Sequence, residues 1–317
     1  MSRRPPLLLS RAAASLAATT LVACGSGTVD ISPGVALELA EYRAGTISEL
    51  RYALDLVIPE SRGEPVTGTV TIHFNLSSRQ QPLVLDFRAP PEQVRAVHLN
   101  GEPVDYELAT DHILIPRERL RRGAQSVTVE FASSDDALNR QDDFFYALFV
   151  PDRASTAFPV FEQPDLKARF TLTLTVPAAW SALSNGALLE RDSTAGTRHR
   201  LRFAETEPIS TYLFTFAAGA LRTETAERNG RTYVMYHRET DTTRVARNRD
   251  AIFDLHAVAL EWLEEYTGIP YPFGKFDFLA VPAFQFGGME HPGAIWYRAE
   301  SLFLDPTASR AQELGRA

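Results

Sequence analysis

The sequence predicts a mainly β N-terminal domain, a sandwich or saddle, followed by the truncated start of an α/β domain. Three observations carry this. From about residue 46 to 220 the apolar residues recur with a period of two, in short runs parted by Gly, Pro and Asp. From about 244 to 266 the period becomes helical. Strand-like runs flank that helix, so the texture changes near residue 221 to strand–helix–strand.

The elements follow in chain order. Residues 1–24 resemble a lipoprotein signal peptide: Arg3, Arg4 and Arg11 are basic, the Leu- and Ala-rich part is too short to span a bilayer, and Leu21-Val22-Ala23-Cys24 resembles a lipobox. Lipidation is expected at Cys24, with export and anchoring to a bacterial membrane. Residues 25–45, small and polar, read as a tether between lipid and fold.

In Val66–Leu76, Val66, Val70, Ile72, Phe74 and Leu76 share one face and Thr67, Thr69, Thr71, His73 and Asn75 the other. That is the pattern of a half-buried antiparallel strand. Similar runs are Leu50–Ile58, Leu83–Phe87, Val94–Leu99, Ile113–Ile115, Val127–Phe131, Phe170–Val176, His199–Phe203 and Tyr212–Phe216. Asn100-Gly101 between two runs is a hairpin signal. This gives an all-β domain over 46–220.

Thr232–His237 reads as a further strand. The helix has Ile252, Leu255, Ala259, Trp262, Leu263 and Tyr266 at steps of three and four, and Gly268 as its stop. The strand Phe276–Val281 then leads into Phe286-Gly287-Gly288-Met289-Glu290-His291. Residues 221–317 are read as the beginning of a second domain.

At 317 residues the chain has room for two domains, or for one and part of another. A net charge of −8 with no basic patch among aromatics argues against a nucleic-acid partner. The seven histidines, His73, His98, His112, His199, His237, His256 and His291, form no His-Glu-x-x-His. No metal ligand is expected in this chain. There is no Gly-x-Ser-x-Gly elbow and no phosphate loop, and Cys24 is the one cysteine, which removes a thiol nucleophile and any internal disulfide.

A Glu beside glycines is most often a solvated loop residue. Around Glu290 the neighbours add a second reading. Gly287 and Gly288 let another backbone approach closely, while Met289 and Phe286 offer apolar contact. A carboxylate ending such a strand suits a peptide's free ammonium, with the peptide added as a strand.

Gly287-Gly288-Met289-Glu290-His291 resembles the Gly-x-Met-Glu-Asn motif of the zinc aminopeptidases typified by aminopeptidase N. Phe158-Pro159-Val160-Phe161-Glu162-Gln163-Pro164-Asp165-Leu166-Lys167-Ala168 is similar to a second block of that family, and Tyr271-Pro272-Phe273-Gly274-Lys275-Phe276-Asp277 to a third. The three occur in the family's order.

The resemblance implies a β-saddle followed by a thermolysin-like catalytic domain. It implies that Glu290 binds the substrate α-ammonium, that Gly287, Gly288 and Met289 contact the first residues of the peptide, and that zinc serves the full-length parent. Its zinc motif is expected beyond Ala317, so this chain holds no catalytic residue and is expected to bind no zinc and to be inactive alone. The alternative is a non-catalytic peptide-binding or scaffold lipoprotein. Departures from the family pattern are His291 for Asn, Val160 for Cys, Glu162 for Asp, and Val150 where a Gln or Glu often helps bind the amine.

Overall fold

A computed structural model of the protein describes residues 30–193 and 196–316. The leader over 1–24 and the lipidation expected at Cys24 lie outside them.

The chain enters through helix α1 (Leu37–Thr46). The strands then run β1 (Ile47–Val57), β2 (Thr67–Leu76), β3 (Leu83–Asp86), β4 (Val94–Leu99), β5 (Glu102–Pro103), β6 (Glu107–Ala109), β7 (His112–Ile115), β8 (Gly123–Ala132), β9 (Leu138–Arg140), β10 (Phe144–Ala147), β11 (Arg169–Pro177), β12 (Ser181–Ser184), β13 (Leu188–Asp192), β14 (Arg198–Phe203) and β15 (Phe216–Gly219). Next come β16 (Arg222–Arg228), β17 (Arg231–His237), helix α2 (Thr242–Thr267), β18 (Phe276–Val281), β19 (Gly288–Met289), β20 (Ala294–Arg298), α3 (Ala299–Leu302) and α4 (Arg310–Arg316).

Alternation builds the first layer. Val70, Ile72, Phe74 and Leu76 of β2 are buried and His73 is exposed, as the period of two requires. Eight strands join in the order β13-β14-β11-β1-β2-β8-β4-β5. Asn100 and Gly101 both have positive φ, 54° and 87°, and turn β4 into β5. Across the core lie a four-stranded sheet, β12-β15-β10-β9, and a three-stranded one, β3-β7-β6. Leu54, Ile72, Val129 and Leu172 meet Phe145, Phe216, Leu85 and Ile113 in this core.

The second unit is a five-stranded sheet, β16-β17-β18-β20-β19, with parallel pairs at β17–β18 and β18–β20. Every residue of β18 is buried, because both faces of this sheet are covered. On one face α2 packs Ile252, Phe253, Ala257 and Leu260 against Tyr233, Met235, Phe276 and Phe278. On the other, Leu279, Val281, Met289 and Trp296 meet Phe144, Tyr146, Leu183 and Ala217 of the four-stranded sheet. That sheet is therefore shared, with one face in each core.

α2 starts where Asp241 accepts hydrogen bonds from the Thr243 and Arg244 N–H groups, at 2.9 and 3.1 Å. It stops at Gly268, in the left-handed conformation.

Three expectations are corrected. The tether over 25–45 is replaced from Leu37 onward by α1, whose Leu39 and Arg43 are buried. Arg43 carries the reason, since it forms a two-armed bond to Asp86, at 2.6 and 2.8 Å. Tyr212–Phe216 is not one strand: Thr211–Leu213 is a 3-10 turn and β15 begins at Phe216. Its apolar run reflects burial, with Phe214 and Phe216 almost wholly enclosed. The buried face of α2 is Val245, Asn248, Ile252, Phe253, His256, Ala257 and Leu260, whereas Trp262, Leu263 and Tyr266 are exposed. The helix carries two apolar stripes, and periodicity does not say which one meets the sheet.

Candidate functional site

Gly288 and Met289 form the outermost strand of the five-stranded sheet, β19, paired antiparallel to Tyr297 and Trp296. The Arg298 N–H donates to the Gly287 carbonyl at 3.0 Å. Alternation along the ladder then turns the Gly288 N–H and C=O outward, away from β20. The structure thus presents one residue of unpaired backbone at a sheet edge, beside the exposed Glu290.

The glycines differ in what the fold asks of them. A Cβ at Gly288 would meet the Tyr297 ring at 3.3 Å, whereas one at Gly287 would meet nothing within 4 Å. At Gly293 the fold leaves no choice: φ is +73° and a Cβ would lie 2.5 Å from the Asn185 carbonyl oxygen.

Met289 faces inward. It is 6% exposed and packs in the cluster shared with the four-stranded sheet. Phe286 is 41% exposed, its ring edge-on to Phe284 at 5.8 Å. Of the two apolar side chains expected to meet a peptide, Phe286 is the one in solvent. Glu290 makes no ion pair or hydrogen bond to another described residue. It stands at the lip of a largely apolar cleft of about 490 Å³ between α2 and β20, walled by Leu260, Leu263, Ile295 and Tyr297.

The turn after Glu290 is held from two sides. The His291 ring is fully buried, edge-on to Trp296 at 5.6 Å, and its Nδ1 lies 3.2 Å from the Leu213 carbonyl. A carbonyl only accepts, so the proton sits on Nδ1. Burial drives the imidazole pKa down to about 3. His291 is therefore neutral and brings no cation to compete for the neighbouring carboxylate.

Asn185 donates to the Leu213 and Pro292 carbonyls, each at 2.9 Å. The Gly293 N–H donates to the Tyr271 hydroxyl at 2.9 Å, and its carbonyl accepts from the Asp277 N–H and from Lys275 Nζ. Lys275 also pairs with Asp277 at 2.9 Å, and burial lowers its pKa despite that partner. The segment Tyr271–Asp277 thus grips the turn behind Glu290. Two motifs that are separate in sequence are one construction in space.

The third motif lies behind them. Glu162 accepts from the Ser155 N–H at 2.6 Å and from the Thr211 hydroxyl at 3.0 Å, and its own N–H donates to Asp86 at 2.7 Å. Burial raises its pKa to about 7. Thr211 opens the turn that ends at Leu213. Asp86 also takes His112 Nδ1 at 3.0 Å. Burial pushes Asp86 upward, but Arg43 and His112 outweigh it and hold the carboxyl below its usual range. Val160 is buried and Val150 is half-buried against the shared cluster.

Sequence reasoning missed Asn185, which sits in no motif. The Asn-Gly pair at 185–186 was a visible turn signal, but nothing in it pointed across to residue 292.

Among the described residues no group of three or more His, Cys, Asp or Glu side chains converges to hold a metal ion. His256 bonds the Ile252 carbonyl, His291 bonds Leu213 and His112 bonds Asp86. These histidines are core members on separate elements, and they do not fit the metal.

The profile described as Peptidase M1 N-terminal domain matches residues 48–213, and that described as Peptidase family M1 domain matches residues 252–316. Aminopeptidase N of Streptomyces lividans is 29% identical over 306 residues, covering 90% of this chain and 34% of the relative. Aminopeptidase M1-A of Oryza sativa subsp. japonica is 29% identical, covering 84% and 32%. Glutamyl aminopeptidase of Sus scrofa is 28% identical, covering 85% and 31%. The chain spans about a third of the length of these relatives.

Proposed function

The chain belongs to the M1 peptidase family, as its N-terminal portion, and on that premise we propose that it carries the amine-gripping half of an aminopeptidase site. The family consists in general of zinc enzymes acting on peptides. In this reading Glu290 binds the substrate α-ammonium, and the outward backbone of Gly288 pairs with the first residues of the peptide. Gly287 leaves room for that strand to approach. Phe286 supplies the apolar contact, and Met289 contributes backbone while its side chain stays in the core.

The observation that carries the reading is the pairing of a free sheet edge with an uncompensated carboxylate at its end. An added strand fixes the peptide direction, and the carboxylate fixes where it must begin. Substrates with a blocked amine would lose the charge-assisted bond and leave Glu290 facing an uncharged amide. None of these residues fits the zinc that the family uses, so their part in the reading is to bind and orient the peptide. For residues 1–317 the reading is recognition of a peptide's amine end without cleavage.

The same proposal keeps the protein on a bacterial membrane through Cys24, on the strength of the Leu21–Cys24 sequence. No helix among the described residues is long and apolar enough to cross a membrane.

The test is binding of leucyl-leucyl-leucine amide and its N-acetylated form to the purified chain. A preference for the free amine of roughly tenfold or more is expected, lost in Glu290→Gln. Equal affinities for both peptides would remove the amine-binding role. Release of N-terminal residues by the chain, abolished by chelation, would overturn the non-hydrolytic part.

A further inference from the structure

We infer that Asn185, on the N-terminal β domain, is a positioning residue for Glu290: it anchors the turn behind the carboxylate and so sets where a peptide amine is held. The inference rests on the amine-binding role proposed above.

Asn185 follows β12 and is 7% exposed. Its amide is fully oriented. Oδ1 accepts from the Thr215 N–H at 2.8 Å, so Nδ2 must face the two carbonyls. One of these, Leu213, is in its own domain. The other, Pro292, belongs to the turn after Glu290, so that bond crosses between the domains.

A second link lies beside the first. The Leu213 carbonyl that takes Asn185 Nδ2 also takes His291 Nδ1. One oxygen of the N-terminal domain therefore gathers donors from both sides of the junction. Backbone contact closes the arrangement, because the missing Cβ of Gly293 is what lets that residue lie against the Asn185 carbonyl.

The division of labour is plain. The five-stranded sheet and the segment before it hold Gly293, through Tyr271, Lys275 and Asp277. The N-terminal domain holds the two residues nearer to Glu290, the ring of His291 and the carbonyl of Pro292. Glu290 has no side-chain partner of its own among the described residues, so its placement follows from the backbone at 291 and 292. Loosening that backbone by about an ångström moves the carboxylate off the line of the strand edge, a displacement of the size that spoils a positioned contact.

The test uses the full chain, the two peptide probes above, and amide hydrogen exchange. Asn185→Ala should bring the free-amine preference from roughly tenfold to near unity while leaving the affinity for the acetylated peptide unchanged. Asn185→Ser, whose hydroxyl can keep one of the two carbonyls, should fall between and serves where the Ala variant does not fold. Exchange should quicken at the amides of Asp277 and Ala294, which donate to Gly293 and His291, and not in β1 or β2. A general loss of structure would weaken both peptides alike, so the ratio separates positioning from stability. A free-amine preference that persists in both variants overturns the inference. If the unaltered chain shows no such preference, the amine-binding reading falls, and with it the positioning role. The exchange data then report only on the anchor: quickened exchange shows that it exists, and unchanged exchange removes it too.

Discussion

Arg43→Met is the sharpest test of how the first described residues join the fold. Arg43 and Asp86 have side chains 2% and 4% exposed, and the guanidinium reaches both carboxylate oxygens and the Val84 carbonyl. Removing the cation leaves Asp86 buried with only His112 and the Glu162 N–H for support. Breaking one partner of such a pair costs about 3–5 kcal/mol, because an uncompensated charge remains in the core. Against a domain stability of roughly 5–15 kcal/mol that is a large share, visible as a lower urea midpoint with unchanged slope. Arg51→Met serves as the control. Its pair with Glu205 is 50% and 37% exposed, and its loss should leave the midpoint nearly unmoved. Equal effects from the two substitutions would refute the reasoning. So would an Arg43→Met protein as stable as the parent, which would return residues 37–45 to the role of a tether.

Met289→Ala should cost about 2–5 kcal/mol, read from the denaturation midpoint, because the side chain fills the core shared by two sheets. Phe286→Ala should leave stability within about 0.5 kcal/mol and instead weaken binding of peptides with an apolar first residue. Glu162→Gln should alter the pH dependence of stability. The folded protein keeps the Glu162 proton up to a pH of about 7 while the unfolded chain releases it near 4.5, so the parent loses stability relative to the variant as pH rises through that window. The gap should be absent below the window and reach about 3 kcal/mol above it, and a flat difference between pH 4 and 8 would count against the assignment. Gly293→Ala should destabilise the turn and reduce the free-amine preference, since φ and space both exclude a side chain there.

The sequence showed most clearly what depends on local periodicity. Val70, Ile72 and Phe74 alternate because one face of β2 is wet, and α2 ends at Gly268, the stop its sequence predicts, while its start at Thr242 lies two residues before the apolar period. It was less clear where an element carries apolar residues on more than one face. The apolar residues of α2 lie on two stripes, and only the sheet decides that Ile252, Phe253 and Leu260 go inward while Trp262 and Tyr266 stay out. Met289 read as a peptide contact because a strand residue's facing is set by which side of the sheet the other domain covers. Arg43 looked like part of a linker because its partner is 43 residues away. For the candidate site, the motif gave the carboxylate and the glycines. The clamp behind them was hidden, since Asn185 acts on residue 292 across 107 positions of chain and carries no periodic or motif signal.

The four-stranded sheet β12-β15-β10-β9 has a consequence for anyone wishing to recombine this protein. With Phe145 and Phe216 in one core and Phe144, Tyr146 and Leu183 in the other, it is a party wall rather than the end of a module. Cutting at residue 220 would strip one side of that wall bare and expose the opposing Trp296 and Val281. A chimera joined there should precipitate unless the donor brings its own matching surface. A workable exchange would carry β10, β12 and β15 together with β18 to β20, so that the two halves travel as a fitted pair.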